Sequence, residues 1–473
     1  MKIWRINRWF GGLSTGTKLG IDGAFSLGQG LDFKTDPDLL TANYAMAKAS
    51  STNVTGLVKW FVQNGTTYYA YADDGKIHSD ATSWTSLRTV ASSSGQGLEV
   101  FNDYLYYAQN AQLGRYGALS GAPAFTDNYQ TLDSDLLFHP CKVFLNKLCV
   151  GHLRKIGTLD SSSVWTDAAI TLPIGWKIKS LEVRGDFLYI GAWKGTAITD
   201  YEVGALFTWD GTSTTWNSVE FINESGVNAL FNQNDTLYCA AGTRGNLYQV
   251  VGGNLVKIKR IPLVGATSTA EIYPGAMTGF NGLLHVGVAG STTSTTLYQG
   301  VYSWGQVEKN YPNVLNFDYP ISTGTVTGTG LQIGAVYAAS PTKLYVGWKD
   351  GADEGIDLIS TSTKQSTVIL ETLIFDGNVP YKKKTFRDIK LICKPLVSGE
   401  SIVVKYDADR TGSFTTLATL SFATHGAVNE RKFSFTSSSG FLKAYELKLR
   451  IELVGGSSLV EATVTYTDEE DIV

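Results

Sequence analysis

Histidine is scarce in this 473-residue chain, and its five copies are scattered. His78, His139, His152, His285 and His425 form no HExxH and no pair at metal-binding spacing, which excludes the zinc-hydrolase signatures. The four cysteines, Cys141, Cys149, Cys239 and Cys393, lack CxxC spacing, so zinc-ribbon and thioredoxin-like readings fall away. No run approaches the roughly 18 apolar residues of a membrane helix. The opening Met1-Lys2-Ile3-Trp4-Arg5-Ile6-Asn7-Arg8 lacks the apolar core of a signal peptide. The expectation is a chain made and folded in a cytoplasm, without membrane insertion. Charged residues make up 17%, below the roughly 25% of an average domain, and the net charge is only -4. A nucleic-acid footprint needs clustered Lys and Arg. The densest basic group, Lys382-Lys383-Lys384 with Arg387, reads as a solvated strand edge, where lysines block edge-to-edge pairing. No specific nucleic-acid partner is expected.

What the chain has instead is glycine, aromatics and a repeat. Fifty glycines against 11 prolines imply many tight turns, and 24 Tyr, 21 Phe and 11 Trp suit pleated strands. The repeat is a turn residue followed by Leu-Tyr-Ile-Gly or a near variant. It stands most clearly as Asp186-Phe187-Leu188-Tyr189-Ile190-Gly191. Aligned on the Leu slot, copies fall at Thr67, Leu105, Leu148, Leu188, Leu237, Leu284 and Leu344, in steps of 38, 43, 40, 49, 47 and 60 residues. Strand-built repeats of that length are the sign of a β-propeller, one four-stranded blade per repeat. Period-2 alternation and a recurring preceding strand place the motif in an inner hairpin. An outer hairpin follows, as in 204–211. Cys149 and Cys239 fill repeat slots and read as buried thiols. The last step is long enough to hide a blade or an insertion, so the count is about seven, within six to eight. Ring closure is expected to borrow a strand from before Leu57.

The layout is therefore all-β: an N-terminal arm over 1–55, an irregular β-propeller over 56–365 and a C-terminal antiparallel β-sandwich over 366–473. In the arm, Asp36-Pro37-Asp38-Leu39-Leu40 carries a helix-start pattern of cap, proline and acidic first turn, continued through Lys48. After 366 the repeat stops, and alternating strands with Gly-, Ser- and Asp-rich turns fit a sandwich. The acidic Asp468-Glu469-Glu470-Asp471 reads as a loose tail.

No catalytic constellation stands out. There is no GxSxG, no P-loop and no GxGxxG in a βαβ setting. Glycoside hydrolysis needs two carboxyls at fixed separation. Asp200, Glu202, Asp353 and Glu354 are only acids in loops. Asp73-Asp74-Gly75 and Asp210-Gly211 faintly echo the Asp-containing turns of sialidase propellers. Asp407-Ala408-Asp409-Arg410-Thr411-Gly412 opens like a calcium loop, but its twelfth position is Ala418, so it reads as a hairpin turn. Trp84, Trp193, Trp216 and Trp348 suit packing between blades better than stacking on sugars. His285, in a Tyr slot, reads as structural. No catalytic, cofactor-binding or metal-ligating residue is assigned.

The layout resembles the propeller-plus-sandwich structural proteins of tailed-bacteriophage virions. Three features carry the resemblance: the opening Phe10-Gly11-Gly12-Leu13 with Gly28-Gln29-Gly30-Leu31-Asp32-Phe33 and Asp36-Pro37-Asp38, the Asp-x-Leu-Tyr-Ile-Gly cadence, and Lys384-Thr385-Phe386-Arg387-Asp388-Ile389 with Val403-Val404-Lys405-Tyr406-Asp407. The resemblance implies a non-enzymatic component of a phage virion, in the tail, tail tip or nozzle. Its expected partners are other virion proteins, in a symmetric oligomer assembled in the host cytoplasm. The arm would order on neighbouring subunits. Two other readings stay open. One is a tail-fibre receptor binding or cleaving a host surface glycan. The other is a Kelch- or WD-like cytoplasmic interaction propeller, against which the lack of regular blade signatures counts.

Overall fold

Each copy of the repeat is the second strand of a hairpin whose first strand lies on the inside of a ring. The structure, a computed structural model, describes residues 1–16, 18, 20–49, 54–135, 137–195, 203–262, 269–290, 299–325, 330–437 and 440–469. Contacts group the chain into two compact units. One contains Ala47–Val301 and Ile321–Ile359; the other contains Met1–Met46, Tyr302–Pro320 and Ser360–Val473.

In the first unit, seven inner strands run Val58–Asn64, Gly97–Phe101, Cys141–Phe144, Trp176–Arg184, Val227–Gln233, Met277–Phe280 and Leu331–Ser340. Each touches the next, and the last touches the first, so seven blades close a ring. The first five blades are four-stranded antiparallel sheets in strict chain order. In the fourth, Trp176–Arg184 pairs with Phe187–Lys194, then Val203–Trp209, then Ser218–Ile222. The seventh is completed as expected from before Leu57: Tyr44–Lys48 lies beside Asp353–Lys364, and Ala49 N–H donates to Ile356 O at 2.8 Å.

The Leu slot explains itself. Leu105, Leu148, Leu188, Leu237, Leu284 and Leu344 are all essentially inaccessible. They pack between blades, as in the cluster of Leu188 with Phe144, Ile178 and Phe207. The first copy needs a one-residue correction. Gln63 faces Tyr68 as Val100 faces Leu105, so Tyr68 and not Thr67 occupies the slot. An aromatic ring there hid the register. The long step between Leu284 and Leu344 holds among its described residues the same strand count as the others: Val301–Gln306 and Asn313–Tyr319 follow Met277–Phe280 and Leu283–Gly287 in the sixth blade's sheet.

The second unit is built around two large sheets. One runs Lys2–Ile6, Leu459–Asp468, Lys384–Cys393, Gly440–Ala444, Thr436–Ser437, with Glu430–Ser434 also on Lys384–Cys393. The other places Asn313–Tyr319, Ala24–Gln29, Thr367–Thr372, Leu447–Val454, Ser401–Ala408 and Thr415–Ser421 side by side. Strict alternation drives the packing: Leu447, Leu449, Ile451 and Leu453 are buried, and the residues between them are half-buried. The N-terminal strands are members of these sheets. Lys2–Ile6 pairs with Leu459–Asp468, and Ala24–Gln29 pairs with Thr367–Thr372.

The helix expected from Asp36 is absent. Asp36 Oδ1 accepts from Asp38 N–H at 3.1 Å and Asp36 O accepts from Leu39 N–H at 3.1 Å, which makes a turn. Leu40 then bridges to Leu459, Thr41–Ala42 pairs with Leu31–Asp32, and Tyr44–Lys48 is a strand. Asp-Pro-Asp serves a turn as well as a helix cap, and sheet partners decided between them. The described α-helix is Phe422–His425, one turn capped by Ser421.

Leu188→Ala is expected to cost about 2–5 kcal/mol, the range for emptying a buried leucine site. Tyr189→Ala, at a half-buried position of the same strand, should cost less than half of that. Urea unfolding of the two variants checks the ranking.

Candidate functional site

A ring of inner strands brings together side chains that are far apart in sequence. Phe138 precedes the third inner strand and Tyr273 precedes the sixth, yet their rings meet at 6.3 Å. Blades three and six are not neighbours, so these rings meet across the axis. Lys59 of the first inner strand lies 5.7 Å from the centre of the Phe138 ring and 5.3 Å from that of Tyr273. Lys179 of the fourth lies 5.6 Å from Phe138 and donates to Asn228 Oδ1 at 3.0 Å and Glu271 Oε1 at 2.9 Å. Burial pulls the Lys59 amine below its ordinary pKa, with Asp73 and Glu271 opposing. Two cations on aromatic faces, one of them ion-paired, crowd this end of the axis.

A second charged tier sits three residues further along the inner strands. Glu99, Lys142 and Glu182 occupy equivalent places in blades two, three and four, each one residue before the partner of the Leu slot. Lys142 Nζ is 2.9 Å from Glu182 Oε1 and 3.1 Å from Oε2. Glu99 has no such ion pair and accepts its nearest hydrogen bond from Val100 N–H at 3.0 Å. One ammonium serves two carboxylates. Burial, only partly offset by Lys142, lifts the Glu99 carboxyl to about 7. Burial lowers Lys142 in turn, but Glu182 and Glu99 outweigh it and hold the amine charged.

In the second unit, the basic group read as a solvated edge divides. Lys384 is fully buried. Its Nζ donates to Val379 O at 2.6 Å, Lys382 O at 2.8 Å and Tyr445 O at 2.9 Å. Three carbonyls satisfy all three ammonium donors, and burial still lowers the pKa. The lysine knots the 379–382 turn to the 444–446 bend. Its neighbours face outward. Thr385 pairs with Lys443, Lys383 lies 5.4 Å from the Tyr445 ring and Arg387 lies 5.5 Å from the Phe441 ring.

The residues singled out from sequence are mostly occupied elsewhere. Trp84, Trp193 and Trp348 are buried, and Trp216 packs edge-on against Phe207. Trp348 donates to Asp357 Oδ1 at 2.7 Å. His139, His152 and His285 are buried; His152 accepts from Asp133 N–H and donates to Asp167 O. His78 is buried with neither ring nitrogen hydrogen-bonded, and His425 rests on Phe433. All four thiols are free and buried. Asp353 starts a strand, and Glu354 pairs with Lys349 at 3.2 Å. Asp200 and Glu202 lie outside the described residues. Asp73 accepts from Leu57 N–H and Asp74 from Thr55 Oγ1. Asp210 caps its own turn through Thr212, Ser213 and Asn217, bonds that hold its carboxyl well below the carboxylate range. Asp407 accepts from Thr411 and Gly412, closing a turn. Among the described residues no group of three His, Cys, Asp or Glu is placed to hold a metal.

No protein-family model and no curated protein sequence matches the chain. Solved structures similar to it include the computationally designed Ika8 protein, at 12% identity and a TM-score of 0.40, covering 74% of this chain and 99% of that one. The extracellular domain of a hybrid two component system from B. thetaiotaomicron is similar at 13% identity and a TM-score of 0.45, over 79% of this chain and 44% of that one. The β-propeller domain of Myceliophteria thermophila Cps50 (Swd1) is similar at 13% and 0.45, over 66% and 99%. At these scores the likeness adds nothing to the ring read from this chain's own strands.

Two outcomes check this geometry. A carboxyl whose folded pKa is raised is held protonated by the fold, so stability falls as pH rises from the ordinary value of 4.5 through about 7. Glu99→Gln should therefore stabilise the protein by about 1–3 kcal/mol at pH 8 and by little at pH 4, read by denaturant unfolding at both pH values. Lys384→Met leaves three carbonyls without their donor. It should speed tryptic cleavage after Lys382 and Lys383 by about tenfold, the factor given by roughly 1.4 kcal/mol of local stability.

Proposed function

We propose that this chain is a non-enzymatic structural protein of a tailed-bacteriophage virion, in which the propeller is a rigid platform for protein–protein contacts. The observation that carries the platform reading is the set of cross-axis contacts among Phe138, Tyr273, Lys59 and Lys179. Concave, partly apolar pockets with converging polar groups are where a fold usually binds small molecules. Here the end of the axis holding Phe138 and Tyr273 is occupied by the chain's own rings and by Lys59 and Lys179. Charge in the second tier is spent on cross-blade pairing, Lys142 with Glu182. The Lys142–Glu182 pair ties adjacent blades and the Phe138–Tyr273 contact ties blades across the axis, and both stiffen the ring. That suits a part that transmits load better than one that turns over substrate.

The virion assignment is supported by the sequence resemblance in arm, cadence and C-terminal module. In this chain the N-terminal strands are spent on its own sheets, so contacts to other virion proteins would fall on blade and sheet surfaces. The test is direct. Mass spectrometry of purified particles should find the chain at a fixed copy number, and averaged electron micrographs should place it in a symmetric ring of the tail. A protein recovered only as a monomer outside particles overturns the proposal.

A further inference from the structure

The outward face above Lys384 combines exposed rings, cations and hydroxyls. Along Gly440–Ala444 and its continuation, Phe441, Lys443 and Tyr445 alternate outward, while Ala444 is buried. Across from them, Lys383 lies against Tyr445, Thr385 pairs with Lys443, and Arg387 lies against Phe441. Thr467 extends the same row, paired with Thr385 from the other side. Phe441 is 42% exposed, Tyr445 41% and Tyr381, in the turn knotted by Lys384, 76%. Phe441 and Tyr445 stand about 13 Å apart along the strand, at roughly 3.3 Å per residue, with a cation midway.

The face already shows how it grips a carboxylate. Glu469 Oε1 lies 2.5 Å from Lys443 Nζ and accepts from Thr385 Oγ1 at 3.2 Å. These contacts, with Lys443 first, hold its carboxyl below the ordinary range. An ammonium and a hydroxyl in one cross-strand row thus form a carboxylate seat between two exposed rings. Lys383 and Arg387 repeat the cation beside each ring, and Arg can take a carboxylate through two parallel bonds.

We propose that this face binds a strand of acidic polysaccharide. The C–H faces of successive sugars lie on Phe441, Tyr445 and Tyr381. Their carboxylates lie on Lys443, Lys383 and Arg387, and their hydroxyls on Thr385 and Thr467. The chemistry is that of a uronic-acid polymer. Stacked bases with phosphates would also meet rings and cations, but the seat as built holds a planar carboxylate, that of Glu469, between Lys443 and Thr385. Glu469 occupies the central seat and competes with the ligand. The surface belongs to the second unit alone, and the inference stands whether or not the chain is part of a virion.

The test uses the purified full chain and polygalacturonate, with neutral dextran and a single-stranded dT oligonucleotide as comparison probes, by titration calorimetry. Polygalacturonate should bind, weaken at high salt, and outcompete both other probes. Lys443→Gln and Tyr381→Ala, both exposed side chains, should each weaken binding by about fivefold to tenfold. Glu469→Gln, which removes the competing negative charge from the seat, should tighten it by about threefold or more. No binding, tighter binding of the oligonucleotide, equal binding of dextran, or an affinity unmoved by Lys443→Gln and Glu469→Gln overturns the inference. Unfolding curves matching the parent's keep the variants interpretable.

Discussion

The ring depends on how closely one blade can approach the next, and the glycine that ends the repeat sets that distance. A Cβ at Gly191 would fall 2.2 Å from Ser180 Oγ and 2.8 Å from Val227 O, at the start of the fifth inner strand. Gly151 lies as close to Ile178 of the fourth, Gly287 to Ile333 of the seventh and Gly347 to Val58 of the first. Each of these glycines is where the next blade's inner strand begins. Packing in a protein interior is dense enough that one added methyl group is felt. The motif is therefore the imprint of a neighbour rather than of chemistry. Its Leu faces a blade-to-blade core, and its Gly admits the next blade's backbone. The equivalents elsewhere, Ala108 and Ala240, are the smallest side chains available.

Once the blades are that close, their inner strands crowd around a narrow axis, and polar side chains there must be satisfied by one another. Lys179 reaches Asn228 and Glu271, and Lys142 reaches Glu182. Glu99 is left with no cation of its own, and its proton is the cheaper solution. The same logic holds in the second unit, where Lys384 is buried because three carbonyls surround it. In both units the unusual ionisation states follow from packing geometry.

Much of the architecture could be read from sequence because it is periodic. The repeat marks the second strand of each blade, and alternation marks the sheets of the second unit. The slip at the first copy came from Tyr68 filling a leucine slot, with Tyr71 three residues later where other copies have glycine or alanine. The helix pattern at Asp36 is a local signal shared by caps and turns, and a partner at Leu459, far off in sequence, decides for the turn. The charged sites were illegible for the same reason. Lys59, Phe138, Lys179 and Tyr273 come from four blades, and no spacing rule links them. Lys384 and Lys383 are neighbours in a run of like residues, yet one is the most buried lysine of its sheet and the other is exposed. Strand parity could have separated them: Lys384 begins the alternation that buries Phe386, so its side chain points inward.

The pairing of Lys2–Ile6 with Leu459–Asp468 has a temporal side. Lys2 and Asp468, joined by an ion pair, are 466 residues apart. The closing contact of the seventh blade, Ala49 to Ile356, likewise joins distant segments. At about 5–20 residues per second of synthesis, the first of these strands waits roughly 20–90 s for its partner to exist. During that wait its unpaired edge is a template for any passing strand. Neither unit can be finished in the order in which it is made. The pairing of Lys2–Ile6 is thus made late, and the interval before it is when that strand edge is open to other partners.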